Sequence, residues 1–305
     1  MDQPPPTSPR QTQSYLRTLF EERNIRPLRK RGQNFLIDLN LLDFILRAAD
    51  LGPDDLALEV GSGTGGLTVR LAQAAGGVVS VEIDYAFAEL VGEVAGQLPN
   101  VVLLHADVLK NKNELNPDVL AAVDQLRQRA GLSQVKLVAN LPYAVATPVI
   151  ANLLLNEQVP IQRMIVTVQW EIAERLTARP STKDYGSLAV LVQSLARVNI
   201  LRRLPPAVFW PRPQVASAIV KIVPDPAKRD QVRARVGELM RFRHFLRDLY
   251  THRRKNLRGA LAGAPGGRRA KPEVDQKLAD LGLDGTARAE ALDIEQHLRL
   301  CEAFG

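Results

Sequence analysis

Residues 56–66, LALEVGSGTGG, contain a short apolar run that stops at Gly61 and passes into a glycine-rich turn. A helical pattern follows from Leu67 to Ala75. A strand, a glycine turn and a helix in this order are typical of a nucleotide-binding unit in a parallel α/β sheet. Because glycine has no Cβ and accepts positive φ, such a turn lets a ligand approach the backbone. The stretch therefore predicts a ligand-binding α/β domain.

Further apolar runs of strand length predict the rest of the sheet. Strands that alternate with helices favour a parallel sheet. The predicted strands are Leu56–Val60, Val78–Ile83, Val101–Leu104, Lys136–Ala139, Ile161–Val168 and, late in the chain, Ala216–Val223. Since ligands of such sheets bind beyond the carboxyl ends of the strands, the polar residues that end these runs are the candidate site residues.

The sequence predicts three regions. Residues 1–12 are rich in proline and polar side chains, so we expect a disordered tail. Residues 13–225 form the predicted α/β domain, which begins with an N-terminal arm and carries an insertion at 111–133 that is polar and then helical. From residue 226 the pattern becomes helical and the charge density rises, which predicts a small all-helical domain over 226–305.

The composition limits the class of protein and its partners. The chain has 305 residues, of which 46% are hydrophobic, but no apolar window long enough for a membrane span and no secretion signal. We therefore expect a cytoplasmic protein. Its single cysteine, Cys301, excludes an intramolecular disulfide framework, and we predict no metal site. The net charge of +7, with basic stretches at 26–31 and 228–258, favours a polyanionic partner, although a charge run more often marks a solvated face.

The glycine turn alone leaves two ligands open. Gly61, Gly63 and Gly66 also satisfy the dinucleotide fingerprint, so a nicotinamide-dependent enzyme is a rival interpretation. Glu82 ends the next predicted strand, where an acid can accept hydrogen bonds from both hydroxyls of a ribose. Asp107 follows the third strand and suits an adenine amino group, or serves only as a helix N-cap. The two acids together favour a nucleoside ligand.

The tetrapeptide Asn140-Leu141-Pro142-Tyr143 follows the fourth predicted strand. An exocyclic adenine amine is a poor nucleophile, and two carbonyl acceptors, the Asn140 side chain and the Leu141 backbone, would draw it towards tetrahedral geometry. Pro142 fixes φ and adds no competing donor. Tyr143 offers a ring on which a flipped-out base can stack. The loop predicts direct methyl transfer to an amine by positioning and electrostatics, which a dehydrogenase does not require.

From about Arg29 to the C-terminus the chain resembles the ribosomal small-subunit RNA adenine dimethyltransferase A family. The similar stretches, in order, are GQNFL (32–36), the glycine turn (61–66), VEID (81–84), Asp107, NLPY (140–143), QWEIAERL (169–176), YGSL (185–188), FWPRP (209–213) and RRKNLR (253–258). The resemblance implies a Rossmann-like methyltransferase sheet with a small helical C-terminal domain. It also implies N6,N6-dimethylation of two adjacent adenines near the 3′ end of 16S rRNA, with S-adenosylmethionine as donor.

The resemblance also implies roles for individual residues. Asn34 and Leu36 would contact the donor from the N-terminal arm, Gly61 and Gly63 would lie under its amino acid part, Glu82 would hold the ribose, Asp107 the adenine, and Asn140 would lie between donor and acceptor. Phe209 would be the second aromatic ring around the target base, and the alternative is a core aromatic near a proline-rich turn. The partner would be 16S rRNA in the small subunit or its precursor, bound by a monomer away from membranes.

Two alternatives remain at this point. One is a 23S rRNA adenine methyltransferase of the macrolide-resistance type, which typically has isoleucine where this chain has Leu141. The other is a non-catalytic ribosome assembly factor that retains the fold. The chain also departs from the family at Ser62, where a proline is usual, and in the 111–133 insertion, which could reshape the rim of the donor pocket.

Overall fold

The computed structural model describes residues 12–27, 32–264 and 269–305. It separates into two compact units. One contains the chain up to Ala173 together with Asn199–Val223, and the other contains Glu174–Val198 and Pro224–Gly305. The second unit thus includes a segment, 174–198, that the sequence placed in the α/β domain, and the reason is its packing on the later helices.

The first unit is built on a central sheet. In chain order the strands are β1 (Phe35–Leu36), β2 (Asp55–Val60), β3 (Gly77–Glu82), β4 (Val101–His105), β5 (Leu109–Asn111), β6 (Glu114–Leu115), β7 (Gln134–Asn140), β8 (Ile161–Gln169), β9 (Ala196–Leu204), β10 (Phe209–Trp210) and β11 (Ser217–Pro224). Seven of them form the sheet in the order β4-β3-β2-β7-β8-β11-β9. The pairs among β4, β3, β2, β7 and β8 are parallel, and β11 runs antiparallel to β8.

Helices alternate with these strands and continue to the C-terminus. In chain order they are α1 (Gln13–Glu22), α2 (Leu39–Ala49), α3 (Gly66–Ala74), α4 (Tyr85–Ala95), α5 (Pro117–Ala130), α6 (Ala146–Leu155), α7 (Trp170–Thr177), α8 (Ser187–Leu195), α9 (Pro226–Val236), α10 (Leu239–Thr251), α11 (Leu257–Ala262), α12 (Lys271–Asp280) and α13 (Ile294–Phe304). The predicted fold class, a Rossmann-like α/β sheet followed by a helical region, is confirmed. No helix within the described ranges is long and apolar enough to cross a membrane.

Burial explains why these segments form a parallel sheet. Every residue of β2 and β3 is buried, as expected for strands covered on both faces. One core cluster joins α2 and α3 to the central strands, with Ile45, Leu71, Val138 and Ile165 among its members. The predicted strands at the positions of β2, β3, β4, β7, β8 and β11 are confirmed to within two residues at each end.

The insertion at 111–133 follows local sequence signals. It begins within the short β5–β6 hairpin and continues into α5. Asn116 caps that helix by accepting a hydrogen bond from the Asp118 backbone N–H, and Pro117 occupies the first turn. The helix ends at Gly131, whose φ of +65° is the left-handed conformation typical of glycine after a helix.

The second unit has its own apolar core. Leu249, Leu257, Val274 and Leu300 are buried together in it. Helix α8 packs on α9, α10 and α13, which explains why the segment before β9 belongs to this unit. The described part of 226–305 contains α-helices, one 3-10 helix and turns, as the helical periodicity predicted.

Candidate active site

A cavity of about 240 Å³ opens at the carboxyl ends of β2, β3 and β7. Parallel strands place their carboxyl ends at one edge of a sheet, so the residues that follow them converge there. Of the residues predicted for donor binding, Asn34, Gly61, Gly63, Glu82, Asp107 and Asn140 line this cavity, and Pro142 lines it as well. The structure therefore brings together residues from five separate segments of the sequence.

The glycine turn lies directly against the Asn140–Tyr143 loop. Gly61 and Gly63 have φ of +79° and +57°, the left-handed region that favours glycine. A Cβ added to Gly61 would lie 2.9 Å from Cδ and Cγ of Pro142, and one added to Gly63 would lie 2.7 Å from Cε1 of Phe35. Both glycines are thus required by backbone conformation and by close packing, and they line the cavity without side chains.

Glu82 lines the cavity from the end of β3. Its two carboxylate oxygens accept hydrogen bonds from the backbone N–H groups of Gly63 and Asp84, at 2.9 and 3.0 Å. Burial raises the pKa of this carboxyl, and the two backbone donors partly oppose that shift. The bonds also fix the carboxylate relative to the glycine turn, so that its remaining lone pairs can accept hydroxyl groups of a ligand.

A buried polar cluster is hydrogen-bonded to the glycine turn through Ser62. Oε2 of Glu59 accepts hydrogen bonds from the hydroxyls of Thr68 and Ser80, both at 2.6 Å. Because Ser80 donates its proton to Glu59, the Ser62 hydroxyl, 2.5 Å from that of Ser80, is the donor in their bond. Burial raises the pKa of Glu59 to about 7. No predicted site residue belongs to this cluster, although an acid inside the apolar run of β2 is a signal that its carboxyl is buried and hydrogen-bonded.

Asp107 lies at the rim of the cavity and is exposed. Its Oδ1 accepts a hydrogen bond from the backbone N–H of Leu109 at 2.9 Å, and its backbone carbonyl accepts one from the Asn116 side chain at 2.8 Å. It does not cap a helix, since β5 follows it rather than a helical turn. The N-cap alternative is therefore wrong, and the hairpin of the insertion is attached directly to this acid.

Asn140 occupies the centre of the site. Its Nδ2 donates a hydrogen bond to the backbone carbonyl of Asn34 at 2.8 Å, which fixes the orientation of the side-chain amide. The carbonyl Oδ1 is consequently left as an acceptor. The side chain of Asn34 donates in turn to the Gly32 carbonyl at 3.1 Å. The N-terminal arm thus sets the direction in which Asn140 presents its oxygen.

The rest of the tetrapeptide is held rigidly. Leu141 is buried, and the Pro142 carbonyl accepts a hydrogen bond from the Val145 backbone N–H at 3.0 Å. The Tyr143 hydroxyl lies 2.8 Å from the hydroxyl of Ser217, at the start of β11. Burial raises the pKa of Tyr143, so the phenol stays protonated at neutral pH. The half-buried ring is therefore held by the backbone of the loop at one end and by the hydrogen bond to Ser217 at the other.

Four predicted site residues do not line the cavity. Leu141 and Tyr143 belong to the loop that contains Asn140, whereas Leu36 and Phe209 lie in the apolar core. Leu36 and Phe209 face each other across the short β1–β10 pair, and both belong to the core cluster around α2. Phe209 is only 2% exposed, so in this structure its ring offers no face to a target base. Phe209 therefore packs in the core, the alternative that the sequence left open, and its role in base stacking stays a prediction. Leu36 contributes to the site by anchoring the arm that carries Asn34.

Aromatic rings that the sequence analysis did not single out form one wall of the cavity. Phe35 and Phe87 line it, with ring centres 5.0 Å apart. Phe20 of α1 packs behind them, at 5.4 Å from Phe35 and 5.6 Å from Phe87. No local motif marks these residues, because their proximity arises from the tertiary packing of α1 and α4.

The basic stretches are only partly free to bind a polyanion. Of 26–31, Arg26 is exposed, and residues 28–31 lie outside the described part of the chain. In the second stretch three arginines are held by acidic side chains: Arg235 by Glu295 and Glu302, Arg253 by Glu290, and Arg258 by Asp275. Arg254 and Lys255 are exposed, and no carboxylate of the described residues pairs with them.

Comparison with known proteins gives consistent matches. A sequence profile of the family described as "Ribosomal RNA adenine dimethylase" matches residues 26–304. The chain is 39% identical to the "Ribosomal RNA small subunit methyltransferase A" of Geobacillus kaustophilus, over 90% of this chain and 89% of that protein. It is also 39% identical to the protein of the same name from Pelotomaculum thermopropionicum, over 95% of each chain.

Two solved structures are similar in fold. A dimethyladenosine transferase from Plasmodium falciparum superposes with a TM-score of 0.66 at 22% identity, covering 86% of this chain and 94% of that chain. The 23S rRNA methyltransferase ErmE gives a TM-score of 0.57 at 26% identity, covering 89% and 99%.

Proposed function

The chain belongs to the ribosomal RNA adenine dimethylase family, and we propose that it transfers methyl groups from S-adenosylmethionine to N6 of two adjacent adenines in the hairpin loop near the 3′ end of 16S rRNA. The small-subunit target is supported by relatives whose names specify that subunit, at 34–39% identity over most of the chain. The partner is then 16S rRNA in the small subunit or its precursor. In this proposal the protein acts in the cytoplasm as a monomer, since one chain supplies every residue of the site.

The cavity fits the donor. S-adenosylmethionine supplies an electrophilic methyl group on a positively charged sulfur. Glu82, oriented by two backbone N–H groups, would accept the ribose hydroxyls, and Asp107 at the rim would accept the adenine amino group. The turn at Gly61 and Gly63 has no room for a Cβ, so the amino acid part of the donor would lie against bare backbone.

The acceptor half of the site is the Asn140–Tyr143 loop. Oδ1 of Asn140 and the backbone carbonyl of Leu141 would accept the two N–H bonds of an adenine amino group, which directs its lone pair away from the ring. As that nitrogen takes the methyl group, the methyl–sulfur bond would break and leave a neutral thioether. The two carbonyl dipoles would stabilise the positive charge that develops on the nitrogen, until a proton is lost to solvent. The Tyr143 ring would support the flipped-out base by stacking, worth roughly 1–3 kcal/mol.

One observation carries this proposal. The hydrogen bond from Nδ2 of Asn140 to the Asn34 carbonyl orients the amide and leaves Oδ1 to accept from a ligand, and Asn140 lines the same cavity as Glu82 and Asp107. A non-catalytic assembly factor does not need such an oriented amide. We infer that the chain has retained catalysis, and that residues 226–305 add phosphate contacts through exposed cations such as Arg254 and Lys255.

The test is a methylation assay with purified small and large ribosomal subunits that lack the modification. Mass spectrometry of nuclease digests should detect N6,N6-dimethyladenosine at two adjacent positions in 16S rRNA, and subunits that already carry it should incorporate no further methyl groups. Labelling confined to 23S rRNA would establish the macrolide-resistance alternative, to which the similarity with ErmE points. Binding to small subunits without any labelling would establish the assembly-factor alternative.

A further inference from the structure

An arginine is stacked on an aromatic ring at the surface of the first unit. The guanidinium carbon of Arg203 lies 4.5 Å from the centre of the Trp170 ring. Arg203 is exposed and Trp170 is half-buried. Within the described residues no carboxylate pairs with Arg203. The indole therefore orients this cation, and no anion of the described chain neutralises it.

The backbone of Trp170 lies close to the residue that holds the end of the acceptor loop. The Tyr143 hydroxyl is bonded to Ser217, and Ser217 is the cross-strand partner of Gln169 in the β11–β8 pair. Trp170 follows Gln169 directly, and its backbone N–H donates to the Ala216 carbonyl at 2.9 Å. Since neighbouring strands are about 4.8 Å apart, the Trp170 backbone lies within about 10 Å of Ser217, the residue that holds the Tyr143 hydroxyl.

The neighbouring loop extends the same kind of surface. Arg212 is exposed, and no described carboxylate pairs with it. Val215, two residues before the buried Ser217, is 46% exposed and adds an apolar group to this surface. Free cations combined with aromatic and apolar groups suit a single-stranded nucleic acid, because phosphates need positive charge and unstacked bases need apolar contacts.

Stacking also makes Arg203 a better phosphate ligand than a freely moving arginine. A mobile side chain loses rotamer freedom when it binds, and the contact with Trp170 removes part of that cost beforehand. A guanidinium lying on a ring keeps its N–H edges free, and these edges match two oxygens of a phosphate.

We propose that Arg203, oriented by Trp170 and assisted by Arg212, binds the phosphodiester backbone of the RNA strand that flanks the flipped-out target base. The inference rests on the proposed function and adds a contact to the acceptor strand. Arg203 is in this account a positioning residue, which holds the RNA and touches neither the methyl donor nor the reacting amine.

The test measures binding of the full-length protein to a synthetic hairpin with the sequence of the 3′-terminal 16S rRNA hairpin, without donor, over a series of salt concentrations. Arg203→Ala should bind about tenfold more weakly. Its plot of log affinity against log salt should be shallower by about 0.7, the value for one phosphate contact to a single strand. Trp170→Ala and Arg203→Lys keep the charge, so both should bind more weakly with an unchanged slope.

Arg129→Ala is the matched control, since Arg129 is an exposed arginine on α5 without a carboxylate partner among the described residues. This control should bind like wild type. The proposal is overturned if Arg203→Ala matches the control in affinity and slope. It is also overturned if Arg203→Ala binds whole small subunits more weakly than wild type but binds the hairpin equally well. If wild type methylates no adenine yet shows the Arg203-dependent slope, the proposed function fails and this RNA contact stands.

Discussion

Replacing Gly61 by alanine tests how tightly the glycine turn and the Asn140–Tyr143 loop are joined. Gly61 has φ of +79°, and an alanine Cβ there would lie 2.9 Å from two ring atoms of Pro142. The left-handed conformation costs alanine about 1–2 kcal/mol. Relief of the contact with Pro142 adds about 1–2 kcal/mol more, as in an overpacked core. We therefore expect a loss of about 2–4 kcal/mol in the free energy of unfolding.

Gly131→Ala is the control that separates the two effects expected in Gly61→Ala, the strain of a left-handed backbone and the displacement of Pro142. Gly131 has φ of +65°, and a Cβ added there would meet open space. This control should lose only the strain energy of about 1–2 kcal/mol and keep its activity. Gly61→Ala should in addition lose at least about tenfold, or 1.4 kcal/mol, in donor affinity or in methyl transfer, because Pro142 must shift.

The assays are urea unfolding for stability, calorimetric titration with S-adenosylmethionine for donor affinity, and single-turnover methylation of the 16S hairpin. The reasoning is refuted if Gly61→Ala loses no more stability than Gly131→Ala and binds and transfers like wild type. That result would mean that the turn and the loop move independently.

Two further substitutions test the supports of the cavity. Phe20→Ala should cost about 3–5 kcal/mol of stability and weaken donor binding, because Phe35 and Phe87 lose the ring that packs against them. The control, Phe242→Ala in the second unit, should cost as much stability and leave donor affinity unchanged. If calorimetry gave the two variants equal donor affinities, the role of α1 in supporting the cavity would be rejected. Glu59 has its pKa raised from 4.5 to about 7 in the folded protein, so it contributes stability below pH 4.5 that is lost as pH rises through 7. The loss of stability should approach about 3 kcal/mol. Glu59→Gln keeps an acceptor oxygen but does not titrate, so its plot of unfolding free energy against pH should be flatter in this range. If urea unfolding at pH 4.5–8 gave parallel plots for Glu59→Gln and wild type, the assignment to Glu59 would be contradicted.

Apolar runs and the turn residues that end them predicted six strands of the sheet and their alternation with helices. The run at 56–60 followed by Gly61 marked β2 and its turn, because strand and turn signals there coincide. β9 was missed, since ARVNILRRL mixes charged and apolar residues in a way typical of an exposed edge strand rather than a buried one. The membership of 174–198 in the second unit depends on helix packing between distant segments, which no local pattern specifies.

The site residues were predictable where the backbone conformation or the end of a strand requires a particular residue type. Positive φ selects glycine at positions 61 and 63, and strand ends selected Glu82, Asp107 and Asn140. The burial of Phe209 was not predictable, because a motif gives the position of an aromatic ring in the chain but not the face on which it is buried. The bond between Tyr143 and Ser217 likewise depends on the register of β11 against β8, which only the folded sheet determines.

The most direct measurement is single-turnover methyl transfer by Asn140→Ala on the 16S hairpin, with donor affinity measured on the same preparation. The variant should bind S-adenosylmethionine within about threefold of wild type and transfer methyl groups at least about 100-fold more slowly, a loss of roughly 2.7 kcal/mol in transition-state stabilisation. Transfer at a rate near that of wild type would contradict the claim that the oriented Asn140 carbonyl activates the adenine amine.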